Sequence, residues 1–345
     1  MFPRERSAFR NSPPNCVGGR YRRPEGGGRG GEVASLPGGK LRNPRILALV
    51  PELPDIVVYI EALERFVMGR ELQKVRISSF SLLRTYDPPI SAIEGEVVRG
   101  FRRIGKRIVW EFDDGLFMVM HLMIAGRLRW RDRGVTVPKK VGLAAFDFAN
   151  GSLLFTEQGS KRRASLHVVK GEEGLAEHDR GGLEPLDITV DEFGGALTLE
   201  NRTMKRALTD QRILSGIGNA YSDEILHAAK LSPVKRTGHL SQQEILRLYE
   251  ATQASLLDWT ERHRQDVGDG FPEKVTAFRP DMAVHGKYGE PCPVCGSKVQ
   301  RIVYASNETN YCATCQTDGK LLADRSLSRL LKDDWPKTIE DLEEG

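Results

Sequence analysis

Two closely spaced pairs of cysteines constrain the fold of this chain more than any other feature of its sequence. Cys292 and Cys295 form the first pair, Cys312 and Cys315 form the second, and sixteen residues separate the pairs. Two such knuckles at this separation place four thiolates around one tetrahedral Zn²⁺ ion, and Gly296 supplies the turn after the first knuckle. The sequence therefore predicts one structural zinc ion in a closed site, without an open position for catalysis.

The remaining cysteine and the lengths of the apolar runs limit the class of protein. The fifth cysteine, Cys16, stands alone near the N-terminus, so the cysteines favour a metal site in a reducing compartment over a disulfide framework. No apolar run approaches the ~18 residues that a membrane-spanning helix requires. With 345 residues, of which 39% are hydrophobic, we expect a soluble protein of two or three domains.

The distribution of charge gives no general argument for nucleic-acid binding. The chain has a formal net charge of +4 and an isoelectric point near 8.7. Residues 1–49, however, hold 10 of the 51 basic and 3 of the 47 acidic residues. The rest of the chain therefore carries 41 basic and 44 acidic residues, a balance of −3. Any basic surface that binds nucleic acid must be local.

The first 49 residues differ in composition from the rest of the chain. They contain nine glycines and six prolines and show no apolar periodicity, so we predict that they are disordered. They lack the apolar core of a secretory signal, whereas an Arg-rich organellar presequence remains an alternative. We favour a mis-assigned start, in which Val50 is the initiator position and removal of the initiator exposes Pro51.

The pattern from residue 51 to residue 184 predicts an antiparallel β-sandwich. Apolar residues recur at helical spacing over residues 56–68, before Gly69. Short β-type runs follow, and Asp113-Asp114-Gly115 and Asn150-Gly151 are typical hairpin turns. The predicted strands are Val75–Ser79, Val97–Phe101, Arg107–Phe112, Leu116–His121, Leu143–Phe148 and Ser152–Thr156.

The remainder of the chain is predicted to consist of a helical domain, a zinc-binding unit and a tail. The four predicted helices are Asp191–Leu199, Arg206–Asp210, Tyr221–Ala229 and Ser241–Trp259, and a loop is expected over residues 264–281. We place the helical domain at residues 187–284, the zinc finger at 285–325 and an acidic C-terminal tail at 326–345. The fold class is therefore predicted to be α+β.

A glycine-containing turn precedes one of the predicted helices. Gly216 and Gly218 permit a sharp turn at the helix start, and the exposed amides there, with Asn219, suit the binding of a phosphate. Taken alone, this pattern is more often an ordinary glycine turn.

Three segments resemble, in the same order along the chain, the formamidopyrimidine-DNA glycosylase and endonuclease VIII family of DNA repair enzymes. Pro51-Glu52-Leu53-Pro54-Asp55 resembles the start of the mature chain in that family. Residues 210–227, DQRILSGIGNAYSDEILH, resemble its helix–two-turn–helix signature, and residues 284–292, VHGKYGEPC, resemble the run that leads into its zinc β-hairpin. The resemblance implies a β-sandwich, a helix–two-turn–helix domain and a C-terminal zinc β-hairpin.

The activity that the resemblance implies is that of a bifunctional glycosylase and abasic-site lyase acting on damaged double-stranded DNA. The free secondary amine of Pro51 would attack C1′ of a flipped-out nucleotide, and Glu52 would act as general acid at the sugar ring oxygen. The resulting iminium ion permits β- and then δ-elimination of the flanking phosphates. Within a chain, the proline nitrogen is an amide whose lone pair is delocalised. The chemistry therefore requires Pro51 to be the N-terminal residue.

The resemblance also implies which residues contact DNA. Lys106, in the basic run 102–107, matches a DNA-contacting lysine that we also place in the active site, although most such runs are solvated charges. Lys205 matches a phosphate-contacting lysine, and Gly218 and Asn219 match the phosphate-binding turn. Residues 121–128, HLMIAGRL, resemble a further family motif, in which we expect His121 to be a buried structural residue.

Three positions depart from the family pattern. Ile124 stands where a methionine commonly fills the gap left by the flipped base, and Met123 beside it is a candidate to assist. The loop 156–164, TEQGSKRRA, contains no aromatic wedge. Asn307 stands where the zinc hairpin usually presents an arginine to DNA, and we expect it to form a hydrogen bond instead. We therefore expect a divergent member with its own lesion preference.

Two other functions remain open. A protein that keeps this fold but hides Pro51 within the chain would be a non-catalytic binder of damaged DNA. An RNA- or protein-binding zinc-ribbon protein is also compatible with the cysteines, but it leaves the motifs of the β-domain unexplained. We expect a monomer in the bacterial cytoplasm, associated with the nucleoid, or in an organelle if residues 1–49 are a presequence.

Overall fold

The computed structural model describes residues 50–159, 161–273, 275, 279–304, 307–323, 337–339 and 341. The chain divides into two units, residues 1–46 and 47–345, and all of the described residues belong to the second unit. The predictions for Cys16 and for residues 1–49 lie outside the described residues, as does most of the predicted tail. Within the described part of the chain, no helix has the length and apolar character needed to cross a membrane.

The N-terminal half consists of one helix packed on two antiparallel sheets. Helix α1 (Leu53–Val67) precedes the strands, and its second residue, Pro54, suits a first turn, where no amide donor is needed. The strands are β1 (Lys74–Ile77), β2 (Gly100–Ile104), β3 (Arg107–Glu111), β4 (Leu116–His121), β5 (Gly126–Arg131), β6 (Gly142–Phe148), β7 (Gly151–Glu157) and β8 (Ser165–Lys170). Their order is β1-β6-β7-β5 in one sheet and β2-β3-β4-β8 in the other.

The turns between these strands follow the sequence signals. Asp114 and Gly115 adopt positive φ angles of 55° and 67° in the β3–β4 connection, as the Asp-Asp-Gly turn predicts. Strands β6 and β7 are joined by a turn at Ala149 and Asn150, between the paired residues Phe148 and Gly151, one residue earlier than the Asn150-Gly151 turn predicted. The predicted sandwich is confirmed, with Trp110 stacked near Phe146 and Phe148 in its core.

The C-terminal half is helical and ends in a zinc hairpin. Short helix α2 (Gly171–Ala176) follows the sandwich; then come α3 (Val190–Thr198), α4 (Met204–Thr209), α5 (Asn219–Ala228) and α6 (Gln242–Val267). The hairpin consists of β9 (Gln300–Tyr304) and β10 (Asn307–Tyr311), followed by α7 (Ala313–Thr317). The α+β fold class, with sandwich, helical domain and zinc hairpin, is confirmed.

The predicted loop over residues 264–281 begins too early. Helix α6 continues through Val267 and ends where Gly268 takes a φ of 55°. Its last turn is polar and gives no apolar periodicity, but Arg264 pairs with Glu61 of α1 at 2.7 Å. This contact between distant parts of the chain extends the helix beyond the limit that its own pattern indicates.

Helix α1 belongs to both hydrophobic cores. Ile56, Tyr59 and Leu63 lie in the core of the sandwich, whereas Leu53 lies in the helical core with Ile217. The first turn of α1 therefore sits at the junction between the two halves of the molecule, and the candidate site is built there.

Candidate active site

The carboxylate of Glu52 is anchored at the N-terminus of helix α5. One oxygen accepts hydrogen bonds from the amides of Gly218 at 2.6 Å and Tyr221 at 3.2 Å, and the other accepts from Ala220 at 2.8 Å. Glu52 is buried, with 3% of its surface exposed. Three amide donors at the positive end of a helix thus fix the position and orientation of the side chain of Glu52.

Two glycines allow α1 and α5 to approach this closely. Gly216 has a φ of 80° and accepts a hydrogen bond from the amide of Leu53 at 3.0 Å, and a Cβ atom on it would lie 2.8 Å from Cβ of Leu53. A Cβ atom on Gly218 would lie 2.5 Å from Cδ of Glu52 and closer still to Nζ of Lys106. The turn therefore needs glycine at both positions.

Lys106 lies beside Glu52, as the sequence predicts for an active-site residue. It occupies the two-residue turn between β2 and β3, where Gly105 has a φ of 59°. Burial lowers the pKa of Lys106; the charge of Lys205 lowers it further, and Glu52 opposes both effects. The ammonium and the carboxylate thus flank the same Cα atom, that of Gly218. The predicted catalytic and DNA-contacting roles of Lys106 are compatible with this placement.

Pro51 directly precedes the anchored carboxylate and is buried. The amide of Glu52 donates to Oδ2 of Asp55 at 2.9 Å, which fixes the backbone at the start of α1. On its C-terminal side, Pro51 is therefore held in place by the contact between Glu52 and Asp55 and by the hydrogen bonds of the Glu52 carboxylate. In the 345-residue chain its nitrogen forms an amide with Val50.

Two predicted DNA-binding residues, Lys205 and Asn219, form hydrogen bonds that connect α5 to neighbouring parts of the protein. Nζ of Lys205 donates to the carbonyl of Asn219 and to Oδ1 of Asp223, each at 2.6 Å. The other oxygen of Asp223 lies 2.8 Å from Nδ1 of His285. The side-chain amide of Asn219 donates to the carbonyl of Glu308 on the zinc hairpin at 2.8 Å. Any contact that these two residues make with DNA remains a prediction.

Asn307 begins β10 and pairs with Tyr304 across the hairpin. Its side chain lies outside the described residues, so its predicted contact with DNA stays a prediction. Asn307 lies on the hairpin that accepts a hydrogen bond from Asn219 at the carbonyl of Glu308.

A basic cavity of about 290 Å³ adjoins Lys106. Its lining includes Lys106, Arg107, His121, Arg180 and Arg212, together with Asp210, which pairs with Arg212 at 2.7 Å. His121, which we expected to be buried, is only half-buried and lines this cavity. Burial and, to a lesser extent, Arg107 and Lys106 lower its pKa to about 3. His121 is therefore neutral, and its Nδ1 accepts a hydrogen bond from the amide of Met123 at 3.0 Å.

A second cavity, of about 410 Å³, is lined by Asp55 and Val58 of α1 and by the end of α6. Asp55, His263 and Arg279 form its polar wall, and Phe271 contributes to its apolar wall. Nε2 of His263 lies 2.8 Å from the hydroxyl of Tyr221 and 3.3 Å from Oδ1 of Asp55. Sequence reasoning missed His263, because it lies in the polar last turns of α6, which carry no motif.

The four paired cysteines converge as the sequence predicts. All four sulfur atoms lie within 4.8 Å of one another; Cys292 and Cys315 are separated by 4.0 Å, and Cys295 and Cys312 by 3.3 Å. A tetrahedral zinc site with Zn–S bonds of about 2.3 Å has sulfur atoms about 3.8 Å apart, so these residues fit one structural zinc ion. Nε2 of His227 in α5 lies 3.3 Å from Sγ of Cys292 and connects the zinc unit to the helix.

Models of three domains match the chain in sequence. The formamidopyrimidine-DNA glycosylase N-terminal domain matches residues 50–163, the H2TH domain of the same enzymes matches residues 182–266, and the zinc finger found in FPG and IleRS matches residues 289–317. Together they cover the candidate site and the zinc unit.

Curated relatives and solved structures agree with these matches. An uncharacterized formamidopyrimidine-DNA glycosylase-like protein of Mycobacterium tuberculosis is 44% identical over 151 residues, which are 44% of this chain and 94% of the relative. Formamidopyrimidine-DNA glycosylase of Desulfitobacterium hafniense is 28% identical over 276 residues, or 77% of this chain and 100% of the relative. A structure of the Lactococcus lactis enzyme with DNA containing an abasic site has a TM-score of 0.68 at 23% identity, covering 77% of this chain and 99% of that one. The chain therefore belongs to the formamidopyrimidine-DNA glycosylase and endonuclease VIII family.

Proposed function

We propose that this protein is a base-excision repair glycosylase with abasic-site lyase activity, and that Pro51 is its nucleophile when it is the N-terminal residue. The observation that carries the proposal is the position of Glu52 and Lys106. The carboxylate of Glu52, the residue after Pro51, is held by three amides, and the amino group of Lys106 lies beside it at Gly218. This arrangement suits a reaction in which positive charge develops on a sugar and negative charge develops on its leaving groups.

The first step joins the nitrogen of Pro51 to C1′ of a damaged nucleotide. The lone pair of the nitrogen forms the new bond, and the electrons of the C1′–base bond leave with the base, which takes up a proton. Glu52 accepts the proton that the nitrogen loses and delivers it to the ring oxygen as the ring opens. This sequence makes Glu52 a base before it becomes the acid that the family resemblance implies.

The second step cleaves the DNA strand. The open sugar carries an iminium ion on Pro51, and loss of a C2′ proton expels the 3′ phosphate, with its C–O electrons. Loss of a C4′ proton then expels the 5′ phosphate in the same manner. Lys106, which lines the cavity beside Glu52, stands where its amino group can donate a hydrogen bond to a departing phosphate.

We propose damaged double-stranded DNA as the partner. The neighbouring Lactococcus lactis structures are described as complexes with abasic-site DNA and with DNA containing N7-benzyl-Fapy-dG, and similarity at 23% identity establishes the fold alone. The basic cavity beside Lys106 supports a phosphate contact in this chain. Zinc would hold the β9–β10 hairpin against α5 and take no part in the chemistry. Binding should weaken steeply as salt increases.

Borohydride trapping on duplex DNA with an abasic site tests the proposal. The protein is prepared to begin at Pro51, and a matched protein retains Val50 before it. We expect a covalent adduct from the first protein and none from the second, because only a free amine forms an iminium ion. The absence of an adduct from folded, zinc-loaded protein that binds the DNA would contradict the lyase mechanism.

A second candidate, a non-catalytic binder of damaged DNA, is favoured by one observation. Pro51 is buried and carries an amide nitrogen in the 345-residue chain. A peptide map of the protein from its native source separates the two candidates. A mature chain that starts at Pro51 supports the enzyme, and a native chain that retains residues 1–49 supports the binder.

A further inference from the structure

One segment of the sandwich connects its two sheets along an open edge. The amides of Ser78 and Ser79 donate to the carbonyl of Leu143 in β6, at 2.8 and 3.1 Å. Five residues later, the amide of Arg84 donates to the carbonyl of Leu166 in β8 at 2.9 Å. The segment 78–84 thus begins on one sheet and ends on the other, and hydrogen bonds fix both of its ends.

Phe80 lies in the middle of this segment and faces solvent. It is 92% exposed, whereas Leu82, two residues further on, is 1% exposed and belongs to the core of the sandwich. The backbone is therefore held in place while the phenyl ring contributes nothing to the core. An aromatic ring presented by a fixed backbone costs little conformational entropy when it binds a partner.

Two basic loops lie at the same edge. The β5–β6 loop ends at residue 141, close in sequence to Leu143, which accepts the hydrogen bond from Ser78. The β7–β8 loop ends at Ala164, just before strand β8, which accepts the hydrogen bond from Arg84. A guanidinium nitrogen of Arg162 donates to the carbonyl of Lys140 at 2.7 Å and joins the two loops. Phe80 and residues 138–141, 158, 159 and 161–164 are together called the loop edge.

The loop edge carries a strong local positive charge. Its five basic residues are Lys139, Lys140, Lys161, Arg162 and Arg163, and none of its residues is acidic. The adjacent acid, Glu157, is 1% exposed, and its carboxylate accepts hydrogen bonds from the amides of Arg163 and Ala164. The carboxylate of Glu157 therefore fixes the backbone of the loop through hydrogen bonds and, being buried, adds no negative charge to the surface.

We propose that the loop edge binds the duplex beside the lesion, with Phe80 stacked on a base and the lysines and arginines on phosphates. The inference rests on the proposed function, because extrusion of a damaged nucleotide leaves an opposite base without its partner, available for stacking. Aromatic stacking on a base and cations on phosphates form a pair of contacts typical of nucleic-acid binding. An acidic protein partner would pair with the lysines and arginines, but it would not explain why a single exposed phenyl ring lies among them.

This assignment supplies from another segment the aromatic ring that the loop 156–164 lacks. That loop contributes cations alone, whereas Phe80 reaches the same edge from the connection between β1 and β2. Phe80 would then be a positioning and specificity residue, since it touches the DNA away from the reacting sugar.

Equilibrium binding to a duplex with a tetrahydrofuran abasic analogue, followed by fluorescence anisotropy with the full chain, tests the inference without catalysis. Phe80→Ala is compared with Phe80→Trp and with the matched control Tyr86→Ala. Tyr86 is 88% exposed on the same connection but lies past Thr85, whose hydroxyl accepts from the amide of Val168, farther along β8. We expect Phe80→Ala to weaken binding about tenfold, and the other two variants to bind like the wild type.

A second measurement addresses the cations. Replacing Lys139 and Lys140 together by alanine should lower the slope of log affinity against log salt by about 2 and leave the preference for the abasic analogue unchanged. Equal affinities for Phe80→Ala and Tyr86→Ala, or failure of Phe80→Trp to restore binding, would overturn the stacking role. Absence of DNA binding by the wild-type chain would overturn the proposed function together with this inference.

Discussion

Oε2 of Glu52 accepts a hydrogen bond of 2.6 Å from the amide of Gly218, 166 residues away in sequence. This bond joins the start of the first helix to the start of the fifth. It also occupies the amide of Gly218, which is buried and not exposed to a phosphate as the glycine pattern suggested. A contact between this turn and DNA therefore stays a prediction, whereas the link to the residue after Pro51 is a feature of the fold.

Gly218→Ala should damage the site more than the fold. The new Cβ atom would lie 2.5 Å from Cδ of Glu52 and closer to Nζ of Lys106, so both charged groups must move. We expect loss of the borohydride-trapped adduct and a decrease of about 1–3 kcal/mol in the free energy of unfolding. Gly195→Ala is the control, because a Cβ atom there meets nothing within 4 Å in helix α3. An unchanged adduct yield in Gly218→Ala would contradict the assigned site.

Glu52→Gln preserves the shape of the side chain and removes its charge. The amide that replaces one oxygen would face backbone N–H donors, so a buried hydrogen bond is lost and the unfolding free energy should fall by about 1–3 kcal/mol. Adduct formation should fall at least tenfold, because the proton acceptor for Pro51 is removed. Glu61→Gln, which breaks the more exposed pair with Arg264, is the control and should change stability by less than about 1 kcal/mol. Both quantities are measured on protein that begins at Pro51.

Stability should decrease as the pH falls below neutrality. Burial lowers the pKa of His121 to about 3 and that of His167 to about 4, from an ordinary value of 6.5. Above pH 6.5 both histidines are neutral in the folded and unfolded states and have no effect. Between pH 6.5 and about 4 the unfolded chain takes up protons that the folded chain does not, which favours unfolding.

His121→Asn tests this pH dependence, since Oδ1 of asparagine can replace Nδ1 as the acceptor for Met123. Urea unfolding at pH 7 and pH 5 should show a smaller loss of stability in the variant than in the wild type. His239→Asn alters an exposed histidine and should leave the loss unchanged. Equal losses in His121→Asn and the wild type would exclude His121 as a source.

Removal of zinc should unfold the C-terminal hairpin and spare the sandwich. The zinc unit has a small core of Val284, Val299 and two of the cysteines, which is too little apolar surface to fold without the ion. Hydrogen exchange with and without a chelator should lose protection in residues 289–317 and retain it in the strands around Trp110. Cys312→Ser should behave like the chelated protein, and Glu290→Gln, which weakens an exposed pair with Lys287, should not. Retained protection of the hairpin after chelation would contradict a structural role for zinc.

Local chemistry made part of this architecture predictable from sequence. The cysteine pairs, the Asp113–Gly115 turn and the glycines at 216 and 218 each carry a spacing or a backbone requirement that few other structures satisfy. The closing turns of α6 were not predictable in this way, because Arg264 and His263 are stabilised there by Glu61, Asp55 and Tyr221 rather than by helical periodicity.

The same limit explains what was missed at the site and at the loop edge. Nothing near Glu52 in the sequence indicates that three amides from α5 surround its carboxylate, since the partners lie more than 160 residues away. Likewise, Phe80 looks like an ordinary core residue in its segment. Only the pairing of both ends of that segment with β6 and β8 turns its ring outwards.

The membership of helix α1 in two cores has a mechanical consequence. Because Ile56 and Tyr59 are embedded in the sandwich while Leu53 is embedded among the helices, a rotation of one half against the other must bend or displace the first turn of α1. That turn carries Glu52 and follows Pro51. Any movement between the two halves would therefore also change the positions of Glu52 and Pro51.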